Sequence, residues 1–294
     1  MATLLPPYDN AFELTLGQQA YPEQLAEAPH APQVLYGIGD PESLVRGLAV
    51  IGSRKATPYG RAAARLFAGW AASVGVVIVS GGAIGCDQAA HRAALEAGGH
   101  TIVVLGCGAD VNYPIGAADL LAHVRQGGLG CVVSEQPWGT PPLRWAFARR
   151  NRIIAGLSQA VLVVEAALPS GTFSTADFAN DANRDVLVVP GSIFAPESRG
   201  CNRLLRQGAI AITDVSDLAS AIGVDEQPRP LAVSAEELDT ATARIRSALL
   251  ANPMRPDDVA RELGLSIVQV ARRIGALEAR RVIARYPDGR YGPC

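Results

Sequence analysis

The sequence predicts an α/β fold with a doubly wound, mostly parallel sheet, followed by a small C-terminal winged-helix domain. Three observations lead to this prediction. Short apolar runs alternate with alanine-rich helical segments between residues 48 and 213. The runs are continuously apolar and do not alternate with polar residues, as expected of strands that helices cover on both faces. Beyond residue 223 the alternation stops, and three helical segments and a short hairpin follow.

Seven apolar runs are predicted to be strands of the sheet. Glycine closes the helical segments between them, as in residues 60–75 and 88–99. A strand–helix repeat of this kind favours a parallel, doubly wound arrangement. The predicted strands are 48–52, 76–82, 101–106, 131–135, 160–166, 186–191 and 209–213.

The same patterns predict four segments in the chain. Residues 1–47 have proline-punctuated apolar anchors and are expected to form an extension packed on the sheet edge; 48–222 form the main domain. Residues 223–236 are polar and proline-bearing, as in a linker. Residues 237–294 run helix, short helix, helix and a hairpin around an Asp-Gly turn, the order of a winged helix-turn-helix. The net charge of residues 236–294 is only +2, which leaves DNA contact and partner docking equally open for this segment.

Composition limits the possible classes of protein. With 49% hydrophobic and 18% charged residues, the 294-residue chain is not intrinsically disordered. No apolar run is long enough to span a bilayer and no signal peptide is recognisable, so a cytoplasmic location without membrane contact is expected. The five cysteines form no CxxC pair, and neither a zinc site nor another metal site is predicted. Because the net charge is -2, a polyanion would have to meet a local basic patch.

Candidate binding residues follow the strands of the predicted sheet, at the edge where such folds bind ligands. Ser53, Arg54 and Lys55 follow the first run, and the glycine-rich stretch 80–87 (SGGAIGCD) follows the second. Ser170–Thr172 open a later helix. Backbone N–H groups in such turns and at helix N-termini can bind an anion, although glycine-rich turns also serve tight packing. Two such cradles beside two cations favour a phosphate-bearing ligand.

An arginine-rich segment precedes the fifth run. Four arginines and two aromatic residues lie within nine positions: Arg144, Trp145, Phe147, Arg149, Arg150 and Arg152. Cations in the first turn oppose the helix dipole, so an anion should offset them. That anion is either bound phosphate or a carboxylate such as Glu135, Glu165 or Asp177. An aromatic beside cations is typical of surfaces that stack bases and hold their backbone.

Two further residues have alternative interpretations. His91 follows Asp87 by four positions, so the two could form an Asp–His catalytic pair or, the favoured interpretation, a packing pair on one helix face. Glu165 ends the fifth run, where it could bind a ribose or pair with Arg149 or Arg152.

Several long motifs of the sequence resemble those of the DNA-processing protein A family (DprA, also called Smf). They span residues 20 to 215 and include GSR, SGGAIGCDQAAHRAAL, VLGCGADVNYP, FARRNRIIAGLSQAVLVVEA and SGTFSTADFA. The resemblance implies an extended Rossmann-like domain that binds single-stranded DNA without a cofactor and without catalysis. It further implies a homodimer that loads a RecA-type recombinase in natural transformation.

The resemblance also implies which residues bind DNA. Ser53 and Arg54 would hold phosphates, Gly81 to Gly85 would approach the backbone, and Arg144 and Phe147 would clamp and stack. The full predicted set is Ser53, Arg54, Lys55, Gly81, Gly82, Ala83, Gly85, Arg144, Phe147, Asn151, Arg152, Ser170, Gly171 and Thr172.

This sequence departs from the family pattern at two positions that bear on binding. Ile84 stands where many relatives have a basic residue in the glycine-rich loop, which puts DNA affinity in doubt. Ala148 replaces a proline before the RNR core. Two alternatives to DNA binding are a small-nucleotide sensor and a nucleotide-processing enzyme of the related lysine-decarboxylase-like family. That family carries a PGGxGTxxE motif, whereas the comparable stretch here, LPSGTFSTAD, has no glutamate.

Overall fold

A computed structural model of the chain describes residues 8–225 and 239–293. The chain divides into two compact units, residues 1–228 and 229–294. Most of the predicted linker, 223–236, lies outside the described residues. Within the described ranges, no helix has the length and apolar character needed to cross a membrane.

The first unit is built around one nine-stranded sheet with the strand order β1-β2-β6-β5-β4-β3-β7-β8-β9. From β6 to β9 all neighbours are parallel, and these seven strands match the seven predicted apolar runs. The strands are β1 (Ala11–Thr15), β2 (Val34–Gly39), β3 (Gly47–Gly52), β4 (Ile78–Ser80), β5 (Thr101–Val104), β6 (Gly130–Ser134), β7 (Ser158–Glu165), β8 (Asp185–Val188) and β9 (Ile210–Ala211).

Helices cover both faces of this sheet, which explains why the apolar residues of its central strands are continuous and do not alternate with polar ones. The helices are α1 (Glu23–Ala26), α2 (Pro58–Ser73), α3 (Cys86–Glu96), α4 (Ala118–Gln126), α5 (Arg144–Gly156), α6 (Thr172–Asp181), α7 (Arg199–Arg206) and α8 (Val215–Ile222). One face packs against α1, α5, α6 and α7. The other packs against α2, α3 and α8, and against α4 near β5 and β6. The predicted doubly wound α/β fold is confirmed.

The N-terminal segment requires a correction. The sequence predicts an extension packed on the sheet edge, but β1 and β2 extend the sheet itself as antiparallel strands next to β6. Leu35 and Ile38 of β2 are fully buried. The apolar pattern that would have revealed this strand is interrupted at Gly37. A glycine is needed there because a side chain would clash with the ring of Phe12.

The second unit has the predicted helix–helix–helix–hairpin order. Its elements are α9 (Thr240–Ala251), α10 (Pro256–Leu263), α11 (Ile267–Ala279), β10 (Ala284–Arg285) and β11 (Tyr291–Gly292). Ile245, Val259 and Ile274 belong to a core that all three helices share. Ser266 and Gln269 form a capping box that starts α11. The two short strands pair antiparallel, as in the wing of a winged helix.

Candidate nucleic-acid interface

The sheet reverses its strand order at β3, and this reversal places a crevice at the carboxyl edge. From β3 the chain continues to β4 on one side, whereas β7 lies on the other side of β3. The loops that follow β3 and β7 therefore diverge, which is where open α/β sheets bind ligands. A cavity of about 600 Å³ lies at this edge.

Most of the predicted binding residues line this cavity. They are Ser53, Arg54, Lys55, Ala83, Arg144, Phe147, Asn151, Ser170, Gly171 and Thr172. They come from four separate segments of the sequence that the fold brings together. The predicted residues that do not line it are Gly81, Gly82, Gly85 and Arg152.

The glycine-rich loop after β4 already holds a carboxylate of the protein itself. Asp87 Oδ2 accepts hydrogen bonds from the backbone N–H groups of Gly81, at 3.2 Å, and Ala83, at 3.3 Å. Burial raises the pKa of this carboxyl, and the nearby Arg150 and the two N–H donors partly offset that effect. Asp87 thus occupies two of the donors that were predicted to receive a phosphate, which corrects the prediction for this cradle.

Gly85 allows the loop after β4 to pack closely against the loop after β3. Its φ of +101° favours glycine, and a Cβ there would lie 2.3 Å from the Ser53 carbonyl oxygen. The next residue, Cys86, donates its N–H to that same oxygen at 3.2 Å. The loop after β4 thereby holds the Ser53–Lys55 loop in place, so this glycine has the tight-packing role that the sequence left open.

The second predicted cradle lies open to the cavity. Ser170 Oγ accepts the N–H of Thr172 at 3.2 Å, and Gly171 begins α6 with an ordinary φ of -68°. A Cβ on Gly171 would have no atom within 4 Å. Asn151 of α5 donates to Ser174 Oγ of α6 at 2.8 Å, so the two helices that wall this side are joined. The first turn of α6 thus presents its positive dipole end to the cavity.

The arginines of α5 divide into separate roles. Arg144 is exposed and lines the cavity. Arg152 Nη2 lies 2.6 Å from Glu135 Oε2, in a pair whose side chains are only 6% and 9% exposed. Arg149, 58% exposed, reaches the same carboxylate at 3.4 Å. Arg152 was predicted to bind DNA, and the structure corrects this: its charge is neutralised inside the protein, by one of the carboxylates that the sequence offered as alternatives.

Arg150, which was not among the predicted residues, is a buried cation at the wall of the cavity. Its Nη1 donates to the Gly81 carbonyl at 2.7 Å and also to the Val104 carbonyl, so it joins the ends of β4 and β5. A Cβ on Gly81 would lie 2.5 Å from Nη2, so that glycine makes room for the guanidinium. Burial lowers the pKa of Arg150 to about 10. Its position on the same helix face as Phe147 was the available signal in the sequence.

Phe147 is half-buried, and its ring packs against Tyr113 and Gly106. Its ring centroid is 5.2 Å from that of Tyr113, and a Cβ on Gly106 would lie 2.9 Å from its Cδ1. The Arg150 guanidinium carbon lies 5.9 Å from the ring centroid. The neighbours therefore hold the ring at the cavity wall, where it can meet a planar ligand.

The two residues with alternative interpretations both have structural roles. His91 is fully buried, and its Nδ1 lies 2.7 Å from Thr101 Oγ1, whose own hydroxyl donates to the Ile78 carbonyl. His91 Nδ1 is therefore the donor, and the residue forms no catalytic pair with Asp87. Glu165 accepts hydrogen bonds from the backbone N–H and the hydroxyl of Thr57, at the N-terminus of α2. It contacts neither Arg149 nor Arg152.

The fold and this cavity define a Rossmann-like domain with a basic, aromatic-walled crevice, joined in sequence to a winged-helix domain. A family model described as "DNA recombination-mediator protein A" matches residues 13–223, and a second, "DprA winged helix domain", matches residues 229–289. The chain belongs to the DNA recombination-mediator protein A family. Among the described residues, no cluster of three or more His, Cys, Asp or Glu side chains could hold a metal ion.

Individual relatives agree with this assignment. A putative DNA processing protein DprA of Mycobacterium tuberculosis is 38% identical over 274 residues, which are 89% of this chain and 69% of that protein. The crystal structure of DprA from Streptococcus pneumoniae gives a TM-score of 0.68 at 37% identity, over 72% of this chain and 75% of that one. DprA from Helicobacter pylori, whose structure is described by its single-stranded DNA binding mode, gives 0.65 at 31% identity, over 73% of this chain and 97% of that one.

Replacing Arg152 by alanine should destabilise the protein strongly. The substitution leaves the buried Glu135 carboxylate without its closest partner, and breaking a buried pair costs about 3–5 kcal/mol. Arg149→Ala is the matched control, because its exposed side chain on the same carboxylate should contribute less than about 1 kcal/mol. Urea unfolding of both variants measures the difference. Equal stability of the two would show that the Arg152–Glu135 pair does not hold α5 in place.

Stability should fall as the pH drops below 6.5, in part because of His91. Burial lowers the pKa of His91 from 6.5 to about 3 in the folded protein. Between these values the unfolded state binds the proton and the folded state does not, so the free energy of unfolding decreases by about 2 kcal/mol from pH 7 to pH 5. His91→Gln should lack this part of the pH dependence, whereas His123→Gln, at an exposed position of α4, should keep it. Denaturant melts at the two pH values compare them, and identical slopes for wild type and His91→Gln would refute the assignment.

Proposed function

We propose that this protein binds single-stranded DNA in the cavity at the carboxyl edge of the sheet, without catalysis and without sequence preference. The observation that carries the proposal is a set of three exposed cations, Arg54, Lys55 and Arg144, around one cavity with Phe147 in its wall. Within residues 8–225 and 239–293, none of these three cations forms an ion pair with a nitrogen–oxygen distance of 4.0 Å or less, and the charge of Arg54 acts on the pKa of Asp87 only in the lowering direction. Unneutralised cations hold phosphates, and an aromatic ring stacks bases of any identity.

Other groups of the cavity support binding rather than chemistry. Two acidic side chains near the cavity are engaged with the protein itself, Asp87 with the glycine-rich loop and Glu165 with Thr57, and Glu197 is the other carboxylate of the wall. Ser174 and Thr175, which stand in the stretch comparable to the enzyme motif, line the cavity without a glutamate beside them. The description of the H. pylori relative supports the choice of ligand.

The family membership supports two further steps of the proposal. The protein forms a homodimer and delivers its bound strand to a RecA-type recombinase during recombination of incoming DNA, in the cytoplasm. Light scattering measures the first step, and the rate of recombinase filament growth on DNA coated with single-strand-binding protein measures the second.

A small-nucleotide sensor is the second candidate function. A cavity of about 600 Å³ is within the range of small-molecule sites, and the carboxylate of Glu197 in its wall suits a sugar hydroxyl or a base amino group. A large rise in melting temperature with a mononucleotide, and none with oligo-dT, would favour the sensor over DNA binding.

Arg54→Ala should weaken oligo-dT binding and flatten its salt dependence. If Arg54 neutralises one phosphate, the slope of log K against log salt should decrease in magnitude by about 0.7 for a single strand. Fluorescence-anisotropy titrations at several salt concentrations measure the slope. Arg61→Ala is a control, since Arg61 lies on the exposed part of α2 and does not line the cavity. An unchanged slope for Arg54→Ala would mean that Arg54 contacts no phosphate.

Phe147→Ala should weaken binding by about 1–3 kcal/mol, the contribution of one stacked base. Because the ring is only half-buried, its loss should cost less stability than the roughly 3–5 kcal/mol of a core phenylalanine. Phe67→Ala, a fully packed residue of α2 that does not line the cavity, is the comparison for a core loss. Melting curves and oligo-dT titrations are needed on both variants. If Phe147→Ala melts like Phe67→Ala, the ring is a core residue and not a base clamp.

A further inference from the structure

The loop between β8 and α7, residues 189–198, presents two large apolar side chains to solvent. Ile193 is 78% exposed and Phe194 is 88% exposed, which makes Phe194 the most exposed aromatic residue of the described chain. Neither residue was among those predicted from the sequence. Exposed apolar side chains placed together on one loop indicate an interaction site more often than scattered ones do.

The loop is held in a defined conformation at its base. Tyr59 of α2 donates its hydroxyl to the Pro190 carbonyl at 2.7 Å. The Asn202 side chain of α7 both accepts the Gly191 N–H, at 3.3 Å, and donates to the Gly191 carbonyl, at 3.0 Å. A Cβ on Gly191 would lie 2.1 Å from Ser198 Oγ, so the two ends of the loop are in close contact. Contacts from two different helices therefore fix the loop.

The tip of the loop is also ordered by its own hydrogen bonds. The Phe194 N–H donates to Ser192 Oγ at 3.2 Å, and the Ala195 N–H donates to the Ser192 carbonyl at 3.1 Å. The tip is therefore a hydrogen-bonded turn that directs Ile193 and Phe194 outward. An exposed side chain on an ordered turn loses little conformational freedom when it meets a ligand.

This loop borders the proposed DNA cavity on the β8 side. Glu197, three residues after Phe194, lines the cavity, as does Pro169 of the loop after β7. Leu168, next to Pro169, is also exposed. Because β8 is two strands from β3, the carboxyl ends of these two strands lie about 10 Å apart along the sheet. A strand of a few nucleotides bound in the cavity would span that distance.

The two sides of the cavity differ in charge. The cations Arg54, Lys55 and Arg144 come from the loop after β3 and from the start of α5. The charged side chain that the β8–α7 loop contributes to the cavity is the carboxylate of Glu197. A phosphate is therefore favoured beside the cations and disfavoured beside Glu197. The β8 side, with its apolar side chains, suits the face of a base.

We propose that Phe194, together with Ile193, stacks the base of a nucleotide that lies just outside the cavity, on the same single strand. The inference rests on the proposed function and extends its binding site along the sheet edge. The occupant is an unpaired base and not a protein, because the loop continues the wall of a cavity whose cations select a polyanion. The site therefore has two aromatic positions, Phe147 within the cavity and Phe194 beyond it.

Binding of oligo-dT of different lengths by Phe194→Ala tests this inference. A strand too short to leave the cavity, such as dT3, should bind the variant as it binds the wild type. A dT15 strand should bind about fivefold or more weakly, because one stacked base is lost. The salt slope should not change, since the substitution removes no phosphate contact. Phe194→Trp should restore the affinity for dT15, and its added tryptophan fluorescence should be quenched by DNA.

Val45→Ala is the matched control for loss of an exposed apolar side chain. Val45 is 51% exposed and precedes β3, at the opposite edge of the sheet from the cavity. It should bind both oligonucleotides like the wild type. Equal dT15 affinity of Phe194→Ala and wild type would overturn the inference, as would a change in oligomeric mass of Phe194→Ala with no change in DNA binding, since that would assign the loop to a protein contact. If instead the wild type fails to bind any oligo-dT, the proposed function itself is wrong.

Discussion

The arrangement of the carboxyl edge depends on one buried cation, the guanidinium of Arg150. It donates to carbonyl groups at the ends of β4 and β5, and it lies beside the carboxylate of Asp87, which in turn accepts two N–H groups of the glycine-rich loop. Strand ends leave backbone groups without partners, and burying them unpaired is costly. Arg150 and Asp87 satisfy those groups from within the protein. The glycine-rich loop that Asp87 orders packs in turn against the Ser53–Lys55 loop, through Gly85 and the N–H of Cys86.

The basic side chains of the site thus fall into two groups, one buried and one exposed, with different roles. Arg152 is buried and paired with Glu135, so it contributes to the position of α5 and not to the attraction of a ligand, whereas Arg150 is buried in the cavity wall against backbone carbonyls. Arg54, Lys55 and Arg144 are exposed around the cavity. Because the whole chain has a net charge of -2, long-range attraction of a polyanion is weak, and in the proposed function these local cations supply the electrostatic part of binding.

The sequence was sufficient to predict the seven parallel strands, since short, continuous apolar runs between helical segments are typical of strands buried on both faces. The sequence did not reveal β2, because a glycine, Gly37, interrupts its apolar run. A side chain at that position would clash with the ring of Phe12. Within the site, most of the residues chosen for their proximity to a strand end line one cavity. The pattern could not show that Asp87 would fold back onto the N–H groups of Gly81 and Ala83, because that contact depends on the conformation of the turn. Helical spacing places Arg150 and Arg152 on different faces of α5. Which of the two arginines is neutralised depends on the position of Glu135, which pairs with Arg152.

The contacts of Asp87 reduce the expected effect of having an isoleucine, Ile84, in the glycine-rich loop where many relatives have a basic residue. A basic residue in the glycine-rich loop would add a phosphate contact next to N–H groups that Asp87 already occupies. Ile84 is 55% exposed, so here that loop offers an apolar surface in place of a cation. The glycine-rich loop then contributes chiefly to the position of Ser53, through the close approach of Gly85. In the proposed function, the cations after β3 and at the start of α5 supply the electrostatic part of binding. A ligand held by few phosphate contacts depends more on stacking. In the proposed function, the exposed aromatic residues at this edge of the sheet therefore supply a larger part of the binding free energy.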